Sequence, residues 1–170
     1  MTIRKISENE IGFLNEMLYE AIFVEDGLPE LSKSIIQKPN LAKYIDNFGS
    51  NKSDLCLVAV ENGKLIGACW GRLFDEKNKG YGFLDSETPE LSIAIKEQFR
   101  NRGIGTKLIE EIAELYRGIK VKSISLSVDK KNSAIGLYKR IGFEVKIETE
   151  KSVVMRMELE AKKNGLQQNL

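Results

Sequence analysis

The segment Leu91–Leu108, LSIAIKEQFRNRGIGTKL, constrains this chain more than any other. Leu91, Ile93 and Ile95 alternate with Ser92 and Ala94, the period of a strand with one apolar face. A cationic loop with Arg100 and Arg102 follows, then Gly103 and Gly105. From about Ile104 an amphipathic helix takes over, with Leu108, Ile109, Ile112 and Leu115 on its apolar stripe. A strand that delivers a basic, glycine-containing loop to a helix N-terminus is a good binder of a polyanion. The first amides of the helix have no intrahelical partner and can donate to phosphate oxygens. Glycines let the phosphate come close to the backbone.

The rest of the composition narrows the chemistry mostly by exclusion. The 170 residues suit a single domain, read as 1–160 with a polar tail at 161–170. A net charge of +1 gives no global pull towards nucleic acid. No run of about 18 apolar residues is present to span a membrane. The opening MTIRKISENE lacks the apolar stretch of a signal peptide, so a cytoplasmic location is expected. There are two cysteines, Cys56 and Cys69, and no histidine. A Cys/His zinc site and a histidine base are therefore excluded, and no metal is expected. Acid–base chemistry must come from Glu, Asp, Tyr, Lys or Cys.

Taken in order, Ile3–Ile6 reads as a short strand. Ser7 and Glu10 have the spacing of a capping box ahead of a helix that runs to about Glu20 and buries Ile11, Leu14 and Leu18. A second helical region spans 32–48, interrupted at Pro39. Leu55–Glu61 and Lys64–Phe74 form a hairpin around Asn62-Gly63, a type I′ turn signal. Counted back from a two-residue turn, Val60 faces Leu65 and Cys56 faces Cys69. The two thiols are expected to stay free in a reducing compartment. Ser123–Val128 is a half-buried strand, 132–141 a short helix closed by Gly142, and 143–150 and 153–159 a last antiparallel pair.

Spacing tests the glycine loop. A Walker A loop needs GxxxxGK[ST], and Gly105-Thr106-Lys107 inverts its final pair. The dinucleotide fingerprint GxGxxG meets Leu108 where its third glycine belongs. A purely structural turn needs no two arginines. The pattern that remains, Arg100-x-x-Gly103-x-Gly105 after a strand, resembles the coenzyme A loop of the GNAT superfamily of N-acetyltransferases. A second stretch, SLSVDKKNSAIGLYKRIGFE from Ser125 to Glu144, is similar to the other half of that family's cofactor site, with Asn132 opening a helix and Tyr138 lying on it. Tyr138 follows Asn132 by six positions, one fewer than is frequent in the family. The resemblance spans roughly residues 3 to 159.

That resemblance implies an α/β fold with a mixed, mainly antiparallel central sheet and helices on both faces. It implies a wedge between the central strand and the strand at Ser123, usually opened by a bulge. The central strand would then pair with the pantetheine arm of acetyl-coenzyme A. Ile93 N–H would polarise the thioester carbonyl, Ile95 would hold pantetheine by its backbone, and Ala94 lies between them. Arg100, Asn101, Arg102, Gly103, Ile104, Gly105 and Thr106 would hold pyrophosphate, and Asn132 would contact the cofactor while also serving as a helix cap.

Two residues are assigned to catalysis. Tyr138 is the expected acid, since a phenol keeps its proton at neutral pH and can give it to a leaving thiolate. Glu90, at the start of the central strand with the parity of Ser92 and Ala94, is the expected base, either bonding an acceptor ammonium or relaying its proton through water. Asp85 and Glu87 are weaker candidates. Trp70, Phe74, Tyr19, Phe23 and Tyr44 are read as core aromatics rather than as an acceptor pocket. Glu25 and Asp26 hint at a cationic acceptor.

The function expected is N-acetylation of a primary amine, on a small molecule or a peptide, by direct attack in a ternary complex. The rival is an idle acyl-coenzyme A-binding sensor. Transfer of a longer acyl group is a further option, and exposed C-terminal edge strands suit a homodimer.

Overall fold

The structure is a computed structural model that describes residues 1–159; the expected tail at 161–170 lies outside them. Seven strands form one sheet in the order β1-β2-β3-β4-β5-β7-β6. They are β1 (Thr2–Lys5), β2 (Leu55–Glu61), β3 (Lys64–Arg72), β4 (Glu90–Ile95), β5 (Ser123–Asp129), β6 (Glu144–Glu148) and β7 (Ser152–Glu158). Every neighbouring pair is antiparallel except β4 and β5, which run parallel. A parallel pair needs a long crossover, supplied by helix α3 (Ile104–Gly118). The mixed, mainly antiparallel sheet is the expected one.

Helices cover both faces. Leu14, Met17 and Leu18 of α1 (Phe13–Ala21) pack with Tyr44, Val58, Trp70 and Ala94 on one face. Leu108, Ile109 and Ile112 of α3 pack on the other with Leu57, Cys69, Leu91 and Ile124, joined by Tyr138 of α4 (Ala134–Arg140). The alternation along β4 sends Leu91 to the α3 face and Ala94 to the α1 face.

The region 32–48 is less helical than its pattern suggests. It holds a 3-10 turn, Lys33–Gln37, and one α-helical turn, α2 (Pro39–Ala42), with Pro39 at its first position. Proline there begins a helix rather than interrupting one. The α4 helix begins at Ala134, two residues later than expected; Ser133 takes the cap position without a side-chain bond, and Asn132, one residue ahead of it, accepts the Ala134 N–H through Oδ1 at 2.9 Å.

The hairpin turn has the positive φ of a type I′ turn, 50° at Asn62 and 73° at Gly63, and Val60 faces Leu65. Beyond that the expected register fails. Ala59 pairs with Gly67, so Ile66 is an extra residue in β3. A bulge of one residue flips every later pairing. Cys56 therefore faces Trp70, and Cys69 faces Leu57. The two thiols point to opposite faces and both are free, as expected on other grounds.

Candidate active site

The site begins where β4 and β5 part. Their register consists of one pair, Glu90 with Ser125, backed by Ser125 N–H donating to Pro89 O at 2.9 Å. Past Glu90 the strands diverge while β4 stays in continuous register with β3 from Glu90 to Ile95. The wedge is present, but no register shift in β4 makes it; the bulge sits in β3.

Parity decides which β4 groups line the gap. Lys96 N–H donates to Ile66 O, which turns the even-numbered residues' amides towards β3. The amides of Leu91, Ile93 and Ile95 alternate to the β5 side, in step with Pro89 O. Ile93 and Ile95 thus present backbone groups to the gap. Ala94 does not: its backbone belongs to the β3 ladder and its methyl packs with the α1 face.

The gap leads to the N-terminus of α3. A 3-10 turn, Glu97–Phe99, carries the chain out of β4. Asn101 and Gly103 then take left-handed backbone, φ 60° and 74°, and Gly103 caps the helix without a side-chain bond. Lys107 N–H is the first to bond back, to Gly103 O at 3.2 Å. The amides of Ile104, Gly105 and Thr106 fall in the turn that has no intrahelical acceptor. A Cβ at Gly103 would meet nothing within 4 Å, so the space over this turn is open.

Both loop arginines are already paired. Arg100 donates through Nε to Ile95 O at 2.9 Å and through Nη2 to Glu20 of α1 at 2.9 Å. Arg102 grips Glu61 at the end of β2 with both terminal nitrogens, at 3.2 and 2.7 Å. The Glu61 carboxyl is held below its ordinary range by that guanidinium. Neither Glu20 nor Glu61 has a sequence signal that marks it as a neighbour of the phosphate loop.

Tyr138 lies on the α3 face, 8% exposed, edge-on to Phe143 at 6.0 Å. Burial, with the nearby Cys69 thiol, pushes its phenol up to about 12. Glu90 lies on the α1 face, 4% exposed, so it is not the solvated strand end that its position suggests. Its carboxyl is pushed up to about 7 by burial, opposed by the Tyr44 hydroxyl, the Gly82 amide and Lys43. Tyr44 Oη donates to Glu90 Oε1 at 2.7 Å and accepts from Tyr81 N–H at 2.7 Å. Oε2 has no partner, and neither has the fully buried Ser125 Oγ beside it in register. The cover over Glu90 is backbone: a Cβ at Gly80 would run into Oε2, and one at Gly82 would lie 3.0 Å from the carboxyl carbon.

Asp85 and Glu87 lie in the same loop, with Asp85 Oδ1 accepting the Glu87 amide. Glu25 pairs with Lys131, which ties the segment after α1 to the β5–α4 loop. Trp70, Phe74 and Tyr44 are core aromatics, as expected, whereas Phe23 is 38% exposed. Tyr44 combines that core place with a polar task that its sequence position does not reveal.

An open parallel-strand edge continuous with a glycine-rich helix N-terminus offers free backbone groups suited to an extended, phosphate-ended ligand. Comparison with known proteins agrees. Residues 18–143 match the acetyltransferase (GNAT) family model. The mouse thialysine N-epsilon-acetyltransferase is 30% identical over 168 residues, covering 94% of this chain and 93% of that one. The PaiA N-acetyltransferase of Thermoplasma acidophilum, solved with coenzyme A, superposes with a TM-score of 0.68 at 21% identity, over 92% of this chain and 98% of its own. YncA of Salmonella typhimurium, solved with acetyl-coenzyme A, gives 0.67 at 19% identity over 95% of each. The chain belongs to the GNAT family of acetyltransferases.

Proposed function

We propose that this protein moves an acetyl group from acetyl-coenzyme A to a primary amine by direct attack in a ternary complex. The observation that carries this is the alignment of Ile93 and Ile95, with their backbone groups facing the gap, to the unpaired amides of Ile104–Thr106 at its end. Ile95 and the α3 N-terminus suit the pantetheine arm and the pyrophosphate, with Arg100 and Arg102 beside them. The cosubstrate supplies a thioester-activated acetyl group. Ile93 N–H is suited to donate to the acyl oxygen as negative charge develops there.

The two acid–base candidates belong to opposite faces of the sheet, Glu90 bonded to Tyr44 on the α1 face and Tyr138 packed in the α3-face core. That separation suits a reaction whose leaving thiolate and attacking nitrogen lie on either side of one carbonyl carbon. As the N–C bond forms and the C–S bond breaks, the nitrogen gives a proton towards Glu90 and the sulfur takes one from Tyr138. Burial of Glu90 favours a relay through water over direct contact with the amine. Both cysteines are buried with raised pKa values, Cys56 up to about 12, so neither is a ready thiolate nucleophile, in keeping with direct transfer.

A panel of amines assayed for thiol release from acetyl-coenzyme A tests this reading. Thialysine and lysine come first, because the mouse relative is named for thialysine. Turnover of any amine supports it. Tight coenzyme A binding with no turnover across the panel would replace it with the sensor.

A further inference from the structure

We infer that Tyr44 is a positioning residue of the acceptor side: its phenol, aimed by the Tyr81 amide, holds Glu90 by Oε1 so that Oε2 alone receives the acceptor's proton. The inference rests on the reading of Glu90 as the base.

Three observations converge on it. The Tyr44 hydroxyl is fully committed, accepting from Tyr81 N–H and donating to Glu90 Oε1, both at 2.7 Å. Its proton cannot turn elsewhere without orphaning a buried acceptor. The second carboxylate oxygen is buried and unpartnered, and the equally unpartnered Ser125 Oγ is its register neighbour on the same face. One oxygen is thus held by the phenol, and the other, covered by the Gly80–Gly82 backbone with the Gly82 amide and the Ser125 hydroxyl nearby, has no hydrogen-bond partner. Finally, the donor itself is braced. The Tyr44 ring lies between Phe74, edge-on at 5.0 Å, and Tyr81, stacked at 6.4 Å, and the Tyr81 hydroxyl accepts from Asn40. The phenol is pushed far above its ordinary value by burial and by the Glu90 charge, so it stays a donor.

The proton balance is simple. The acceptor nitrogen loses one proton and Oε2 gains it, while the Tyr44–Oε1 bond is kept. The charged and titratable groups that face Glu90 are few. Lys43 precedes Tyr44 and reaches Lys79 O in the covering loop. Tyr44 and Tyr81 come from the segment after α2 and from that loop. Arg72 is the β3 register partner, but its guanidinium is engaged by Asp54. On the β5 side stands Ser125, with Arg156 of β7 beyond it.

Tyr44→Phe removes the donor and keeps the ring. A bond to the charged carboxylate favours ionisation, so its loss raises the Glu90 midpoint by about one pH unit. The midpoint is read by 13C NMR of carboxyl-labelled glutamate in the free protein, with the Glu90 signal assigned as the one absent from Glu90→Gln. Because Tyr44→Phe leaves the Tyr81 amide unpaired, 3-fluorotyrosine at position 44 provides a variant that keeps both bonds. Its more acidic phenol donates more strongly and moves the midpoint down. Opposite shifts in the two variants support the inference; a midpoint unmoved by either overturns it. Kinetics separate this from the base reading. If Glu90→Gln leaves the acid limb of kcat/KM in place, Glu90 is not the base, whatever its midpoint does. If Glu90→Gln removes that limb but Tyr44→Phe does not move it, the base stands and the role of Tyr44 falls.

Discussion

Glu90 and Ser125 are the one register pair that joins β4 to β5 among the described residues. The sheet is closed on one side of that pair and open on the other. Both residues face α1, both are buried, and each carries an oxygen with no hydrogen-bond partner. The strand ladder therefore ends just beyond a buried acid.

Burial of Glu90 sets a pH dependence of stability. Its folded value is about 7 against an ordinary 4.5. Between those values the folded state keeps a proton that the unfolded state has released. Stability therefore falls as pH rises through that window, by about 3 kcal/mol in total. Glu90→Gln removes the dependence. Urea unfolding of both proteins from pH 4.5 to pH 8 checks it, and parallel curves would count against a raised Glu90 value.

Tyr138→Phe keeps the ring against Phe143 and deletes the proton. Since burial holds the phenol protonated well above neutral pH, the loss is of an acid rather than of a charge. We expect kcat to fall by about 100-fold with coenzyme A affinity unchanged. Steady-state kinetics and calorimetry together check this. Unchanged turnover removes the acid role.

Gly103 and Gly105 should respond differently to alanine. Gly103 has φ 74° with open space around it, so Gly103→Ala meets only backbone strain, about 1 kcal/mol, at the anion-binding turn. Gly105→Ala puts a methyl 3.6 Å from Ile93 Cδ1 and 4.0 Å from Leu137 Cδ2, ordinary contacts. Calorimetry with coenzyme A should show weakened binding for the first variant and near wild-type binding for the second. Equal losses would mean that the loop's shape is not what the ligand needs.

Glu61→Gln should tighten coenzyme A. The Glu61 carboxylate occupies both terminal nitrogens of Arg102, and a phosphate must compete with it. The pair is exposed, so the gain is modest, about two- to fivefold in Kd at low ionic strength. It should vanish in high salt. A looser complex would instead mean that Glu61 holds Arg102 in its working position.

The strands were legible because their apolar period is two, and the phosphate loop because arginines and glycines share one short turn. Neither local signal reaches across the chain. The bulge at Ile66 left no mark in LIGACW, so counting from Asn62-Gly63 misplaced Cys69 by one residue. The burial of Glu90 was invisible because its cover comes from the folded-back backbone of Gly80 and Gly82 and from Tyr44, which is remote from the strand in sequence. Tyr44 looked like any core aromatic, since only its partners distinguish it.

The bracing of Tyr44 reaches back to one ion pair. Arg72 donates to Lys43 O at 2.9 Å, Asp46 O at 2.6 Å and Asn47 O at 3.2 Å, and binds Asp54 through Nε and Nη2. It thereby clamps the turn that carries Tyr44 onto β3, where Trp70 Nε1 also donates to Tyr44 O at 3.2 Å. The Asp54 side chain is fully buried. Asp54→Ala leaves the guanidinium without its counter-charge and should destabilise the protein by about 3 kcal/mol or more. Asp54→Asn keeps one acceptor and should lose less. If the clamp sets Tyr44 as argued, the Asn variant, still folded, also shifts the Glu90 midpoint, which NMR of the free protein reads. Destabilisation with an unmoved midpoint would confine the ion pair to holding the fold.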